Sequence, residues 1–136
     1  MTATHVEVVD ATVVDASAAM RFGLGRAPEL RRVFEDGALF APDFFALDCA
    51  NGVRRYVRAG EIQRRDGDEL LGFLLSLRIE LIPAARLAVA AYNVGLERAL
   101  SVYDAAYVVV ASAANAPLIT ADRRLAAAYD RSELIA

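Results

Sequence analysis

Short runs of β-branched and apolar residues recur along this chain with helix-length segments between them, and that alternation limits the possible folds more than any other feature. Ala11-Thr12-Val13-Val14, Ala38 to Ala41, Arg78 to Ile82 and Leu118 to Thr120 read as strands. The segments between and after them read as helices: Ser17 to Leu24, Pro28 through Phe34, Pro42-Asp43 to about Arg58, Asp66 to Leu77, about Ala85 to Ala99, Asp104 to Ala114 and about Asp122 to Tyr129. Leu70, Leu71, Phe73, Leu74 and Leu77 form the buried stripe expected of the fourth helix, and Met20, Phe44, Phe45 and Cys49 are expected in the core. Strands that alternate with helices through short connections form an α/β domain with a mainly parallel central sheet flanked by helices. A length of 136 residues fits one such domain, 1–136, with residues 1 to about 10 as a flexible start.

The reactive inventory narrows the chemistry. All fifteen basic residues are Arg, so a phosphate-loop lysine or a Schiff base has no residue to make it. A single Cys, Cys49, excludes an internal disulfide and every paired-cysteine metal motif. The one His, His5, lies in the expected tail, and we assign it no role. Carboxylates, hydroxyls and Arg remain. Glu7 and Asp10 stand where an export signal carries positive charge, and no apolar stretch is long enough for a membrane span, so a cytoplasmic location is expected. A net charge of −3 gives no overall pull toward nucleic acid, which leaves any such contact to local Arg groups. At 57% hydrophobic residues the chain has apolar surface to spare, which points to a homodimer or a tight complex.

In parallel sheets ligands sit beyond the carboxyl ends of the strands, where Asp15 and Asp122 fall. An Asp at such a turn serves equally well as a helix cap, and the same holds for Asp104 at the start of its helix. Asp48 is different, because it interrupts the apolar helix segment Phe44-Phe45-Ala46-Leu47-Asp48-Cys49-Ala50, where an isolated charge is costly; a partner in Arg54 or Arg55 is the simple alternative to a functional role. If the four acids meet, they repel one another unless a divalent cation neutralises them. Oxygen-only donors select hard ions such as Mg²⁺ or Mn²⁺, which act on phosphoryl groups.

Four motifs in order, Val13-Val14-Asp15-Ala16-Ser17, Ala41-Pro42 with Leu47-Asp48-Cys49-Ala50-Asn51, Ser101-Val102-Tyr103-Asp104-Ala105-Ala106-Tyr107, and Leu118-Ile119-Thr120-Ala121-Asp122-Arg123-Arg124, resemble a PIN domain of the VapC toxin type over nearly the whole chain. The resemblance implies a metal-dependent endoribonuclease whose acidic quartet is Asp15, Asp48, Asp104 and Asp122, with Ser17 and Thr120 as supporting hydroxyls. Asp15 and Asp104 are then the direct Mg²⁺ or Mn²⁺ ligands, with Asp48 and Asp122 completing the site. Water, not the RNA 2′-hydroxyl, attacks the phosphorus in line. The family usually carries Glu where this chain has Asp48. It also implies a VapB-type antitoxin whose C-terminal segment covers the acidic groove.

Arg54, Arg55 and Arg58 follow Asp48 on its helix, and Arg123 and Arg124 follow Asp122. Arg54, Arg55, Arg123 and Arg124 are candidate RNA-backbone contacts, because the planar guanidinium matches phosphate; a solvated helix face is the alternative. Tyr103 and Tyr107 flank Asp104, where they either stack a base or pack. Two other functional readings stay open: a free-standing PIN nuclease of RNA processing, and a nuclease-dead PIN module that only binds. A dehalogenase-like phosphatase is weaker, since Ala16-Ser17 lacks the second Asp and no Lys exists.

Overall fold

A computed structural model describes residues 11–136; His5 and the expectation of a flexible start lie outside the described residues. Among the described residues the strands are β1 (Ala11–Val14), β2 (Ala38–Pro42), β3 (Ile79–Ile82), β4 (Leu118–Thr120) and β5 (Ser132–Leu134). The helices are α1 (Ala16–Gly23), α2 (Arg31–Asp36), α3 (Phe45–Arg58), α4 (Arg64–Leu75), α5 (Ala88–Arg98), α6 (Val102–Ala114) and α7 (Arg123–Ala127), with 3₁₀ turns at Pro28–Leu30 and Ala84–Leu87. All strand pairs are parallel, in the order β3-β2-β1-β4-β5. The parallel α/β architecture expected from the alternation is therefore what the chain forms.

Strand order reverses at β1, which lies between β2 and β4. A crevice opens at such a switch point beyond the strand ends, because the helices that follow the two neighbouring strands cross to opposite faces. Val13, Val14, Leu118 and Ile119 are buried at the centre of the sheet. Strands covered on both faces read as near-continuous apolar runs, and these two are interrupted only by Thr12 and Thr120. Their register pairs Val13 with Leu118 and Val14 with Ile119. That register sets the residues just beyond each strand side by side.

The helices differ from expectation mainly at their ends. The helix expected from Asp104 begins at Val102, because the Ser101 hydroxyl accepts from the Asp104 N–H at 3.1 Å and caps the helix. Asp104 is thereby released from capping duty. On α4, Leu70 and Leu74 are buried, but Phe73 is 39% exposed and is not the core residue expected; its ring lies at the edge of an aromatic cluster, 6.0 Å from Phe22, which stacks on Phe34 at 4.5 Å. Met20, Phe45 and Cys49 are buried as expected, and Phe44 is half-buried. Strand β5 was not anticipated, since three residues at the sheet edge carry too little pattern to stand out.

One glycine positions the site. Gly52 faces α1 so closely that an added Cβ would collide with the Met20 sulfur. The bare backbone at this point lets α3 approach α1, and Asp48, one turn earlier on the same face, is carried with it toward the end of β1.

Candidate active site

Asp15, at the end of β1, is 6% exposed and caps α1 through Oδ1, which accepts from the Ala18 N–H at 2.9 Å. The same Oδ1 accepts from the Ser17 hydroxyl at 2.7 Å, and Oδ2 accepts from the Thr120 hydroxyl at 2.6 Å. The capping and the site roles considered for Asp15 thus coexist. The donors bear on its ionisation. Thr120 Oγ1 accepts from the Asp122 N–H at 2.9 Å and Ser17 Oγ accepts from the Ala121 N–H at 2.9 Å, so both hydroxyl protons are left for Asp15. Three donors converging on one carboxyl group favour its anionic form. Burial opposes this and pushes the Asp15 pKa up; the Thr120, Ala18 and Ser17 hydrogen bonds pull it back, and the charge of Asp122 adds to the rise.

Thr120 is completely buried and joins three segments. It accepts from the turn after β4, donates to the residue after β1, and stands 3.3 Å from Ser17 Oγ on α1. Asp122 caps α7, its Oδ1 accepting from Arg124 and Leu125 N–H at 2.9 and 3.3 Å, while Oδ2 has no hydrogen-bond partner among the described residues.

Asp48 does not pair with Arg54 or Arg55. Its Oδ2 accepts from the Tyr107 hydroxyl at 2.8 Å, while Arg54 Nε turns to Asn51 Oδ1 at 3.4 Å. Burial raises the Asp48 pKa, the Tyr107 hydrogen bond lowers it, the charge of Asp104 raises it and that of Arg55 lowers it. Asp104 is also raised, first by burial and then by the charge of Asp122, with Arg124 opposing. Each of these three acids is crowded by another of the quartet.

All four acids line one cavity of about 200 Å³, together with Ser17, Asn51, Arg55 and Tyr107. They come from the end of β1, from α3, from the first turn of α6 and from the turn after β4. The donor set is entirely oxygen, which suits a hard divalent cation, and such an ion is what relieves carboxylates that raise one another's pKa. Among the described residues no three acids are gathered into a ready-made cage.

A second cavity of about 220 Å³ shares Ser17, Asp48, Arg55 and Asp122 with the first and extends it to Arg21 and Tyr56. A third, of about 380 Å³, continues from Arg21 to Arg123. Arg21, Arg55 and Arg123 form no ion pair among the described residues, where the pairs are Arg31–Glu35 and Arg64–Asp68. The other two candidate arginines lie differently. Arg124 donates to the Ala99 carbonyl at 3.0 Å, and Arg54 lines a separate cleft with Val53, Val57 and Arg58 between α3 and α4. Arg21 escaped the sequence reading, although it lies one helical turn after Ser17 and so shares its face. Tyr107 was read as a stacking or packing ring, and its hydroxyl contact with Asp48 was missed. Tyr103 is 64% exposed, its ring edge-on to Phe44 at 5.4 Å.

The PIN domain family model matches residues 12–131. VapC ribonuclease Mb0985 of Mycobacterium bovis is 33% identical over 113 residues, covering 83% of this chain and 87% of that protein. Ribonuclease VapC1 of Mycobacterium tuberculosis is 32% identical over 126 residues, covering 88% and 92% respectively. Among solved structures, PAE2754 from Pyrobaculum aerophilum superposes with a TM-score of 0.72 at 25% identity, over 92% of this chain and 83% of that one.

Proposed function

The chain belongs to the PIN-domain family, and on that premise we propose that it is a VapC-type endoribonuclease whose acidic cavity works with Mg²⁺ or Mn²⁺. The observation that carries this reading is the convergence of Asp15, Asp48, Asp104 and Asp122, from four separate segments, on one cavity at the switch point of a parallel sheet. Relatives of similar length named as ribonucleases support the RNA substrate.

Asp15 and Asp104 are the direct ligands in this reading. Asp48 and Asp122, which line the same cavity, would complete the site. A bound divalent cation supplies positive charge for the phosphoryl oxygens and lowers the pKa of water. The chain's own contribution is orientation. Ser17 and Thr120 hold both oxygens of Asp15, the Asp122 cap fixes one oxygen and frees the other, and Ser101 takes over the cap that Asp104 would otherwise supply. Arg55, Arg21 and Arg123 line the continuation of the cavity and bind the RNA backbone on either side of the reacting phosphate. Arg124, anchored on Ala99, serves the site by its charge near Asp104.

The VapC names of the relatives support a VapB-type antitoxin as inhibitory partner. Val89, Tyr92 and Leu96 form an exposed apolar row on α5 at helical spacing, which supports the homodimer. No helix among the described residues is long and apolar enough to cross a membrane.

Incubating the purified chain with cellular RNA, with and without Mn²⁺, tests the reading. Cleavage that requires the ion and disappears in Asp104→Asn is expected. Cleavage of equal strength in EDTA, or unchanged in that variant, would refute it.

A further inference from the structure

Tyr107 is 1% exposed in the middle of α6, yet its hydroxyl crosses to α3 and donates to Asp48 Oδ2 at 2.8 Å, its one hydrogen-bond partner among the described residues. The ring is fixed as well, lying edge-on to Phe44 at 5.8 Å. We propose that Tyr107 is a positioning residue for the reaction: by holding Oδ2 of Asp48 it directs Oδ1 into the acidic cavity. The inference rests on the ribonuclease reading above and deepens it.

The alternative is that Asp48 merely satisfies a buried phenol. The chemistry argues against that. A neutral amide or a backbone carbonyl would accept the same proton, whereas a half-buried carboxylate near Asp104 is a costly acceptor. Conversely, phenylalanine would fill the same core volume without requiring a partner. The hydroxyl is therefore explained by Asp48, not Asp48 by the hydroxyl. The same construction recurs at Asp15, where Ser17 and Thr120 hydroxyls hold the carboxylate. Among the described residues Asp48 has no cap or turn donor on its own helix, and its fixed contact comes from another element, through Tyr107.

The test uses the full chain and the variants Tyr107→Phe, Asp48→Asn and the double variant, with Mn²⁺ binding by calorimetry, cleavage kinetics and urea unfolding. Loss of a hydrogen bond to a metal ligand lowers metal affinity or activity by about 10-fold or more. Tyr107→Phe should fold, bind Mn²⁺ about 10-fold more weakly and lose kcat by a similar factor, with KM for RNA unchanged. In the Asp48→Asn background it should add nothing further. Wild-type Mn²⁺ affinity and kcat in folded Tyr107→Phe, or losses that multiply in the double variant, would overturn the inference. Asp48→Asn without effect beside a dead Asp15→Asn would overturn it too while sparing the nuclease reading. An unaltered chain that neither binds Mn²⁺ nor cleaves RNA would overturn both.

Discussion

Replacing Thr120 by valine keeps the side-chain shape and removes one hydroxyl, at the point where three segments of the site meet. Two interactions disappear. The first is the 2.6 Å hydrogen bond to the Asp15 carboxylate, and a bond to a charged group contributes about 1.5 to 3 kcal/mol. The second is the acceptor for the Asp122 N–H, at 2.9 Å, which contributes about 1 kcal/mol. No water can replace either partner without displacing side chains, because Thr120 is completely buried. Thr120→Val should therefore lower unfolding stability by about 3 kcal/mol at neutral pH, which for a domain of this size is a fall in Tm of about 10 °C. Urea unfolding measures the first figure and calorimetry the second. Thr120→Ser keeps the hydroxyl and should recover most of the loss. The sign of the pH dependence follows from the donor geometry. The threonine hydroxyl favours ionised Asp15, so the gap between wild type and Thr120→Val should narrow as pH falls through the Asp15 titration. A valine variant as stable as wild type, or a serine variant as unstable as the valine one, would refute this account of Thr120.

Asp104→Asn should abolish cleavage yet stabilise the metal-free chain at neutral pH. With its pKa raised in the folded state, ionised Asp104 loses stability as pH rises from the usual carboxylate range through the folded value, so the gain seen by urea unfolding should vanish in acid; a destabilised variant at neutral pH would contradict this. The Cys49 thiol is fully buried and its pKa is pushed up to about 12, mainly by burial, so native protein at pH 8 should resist alkylation until urea unfolds it. Fast labelling of the folded chain would contradict that. Ala99 ends α5 in a left-handed conformation, φ 56° and ψ 46°, which is strained for any residue with a Cβ. Ala99→Gly should raise stability by about 1 kcal/mol in urea unfolding; no change or a loss would show that the strain is absent.

The site was legible in the sequence where its signals are local. Asp15 and Asp122 each close an apolar run, and a carboxylate at a strand end is visible without knowing which strands pair. Asp48 announced itself as a charge in an apolar helix. Its partner did not, because Tyr107 is 59 residues away and its proximity depends on how α3 and α6 settle on the sheet. The arginines behaved similarly. Sequence adjacency to the acids favoured Arg54 and Arg124, whereas helix phase turns Arg54 toward the α3–α4 cleft and anchors Arg124 on Ala99, and a neighbouring helix brings in Arg21.

Hydrophobic periodicity by itself determined that strands and helices alternate, and hence that the sheet is parallel and its ligands belong beyond the strand ends. It is a short-range signal, written within a few turns of one segment, and it cannot rank the possible strand neighbours. Tertiary packing decided that β4 lies beside β1, which sets Thr120 against Asp15 across 105 residues. It also decided that α3 slides close to α1 over the bare backbone of Gly52, bringing Asp48 to the same cavity. Strand order and helix approach depend on the fit of whole faces, and a single residue such as glycine changes that fit without leaving a period in the sequence.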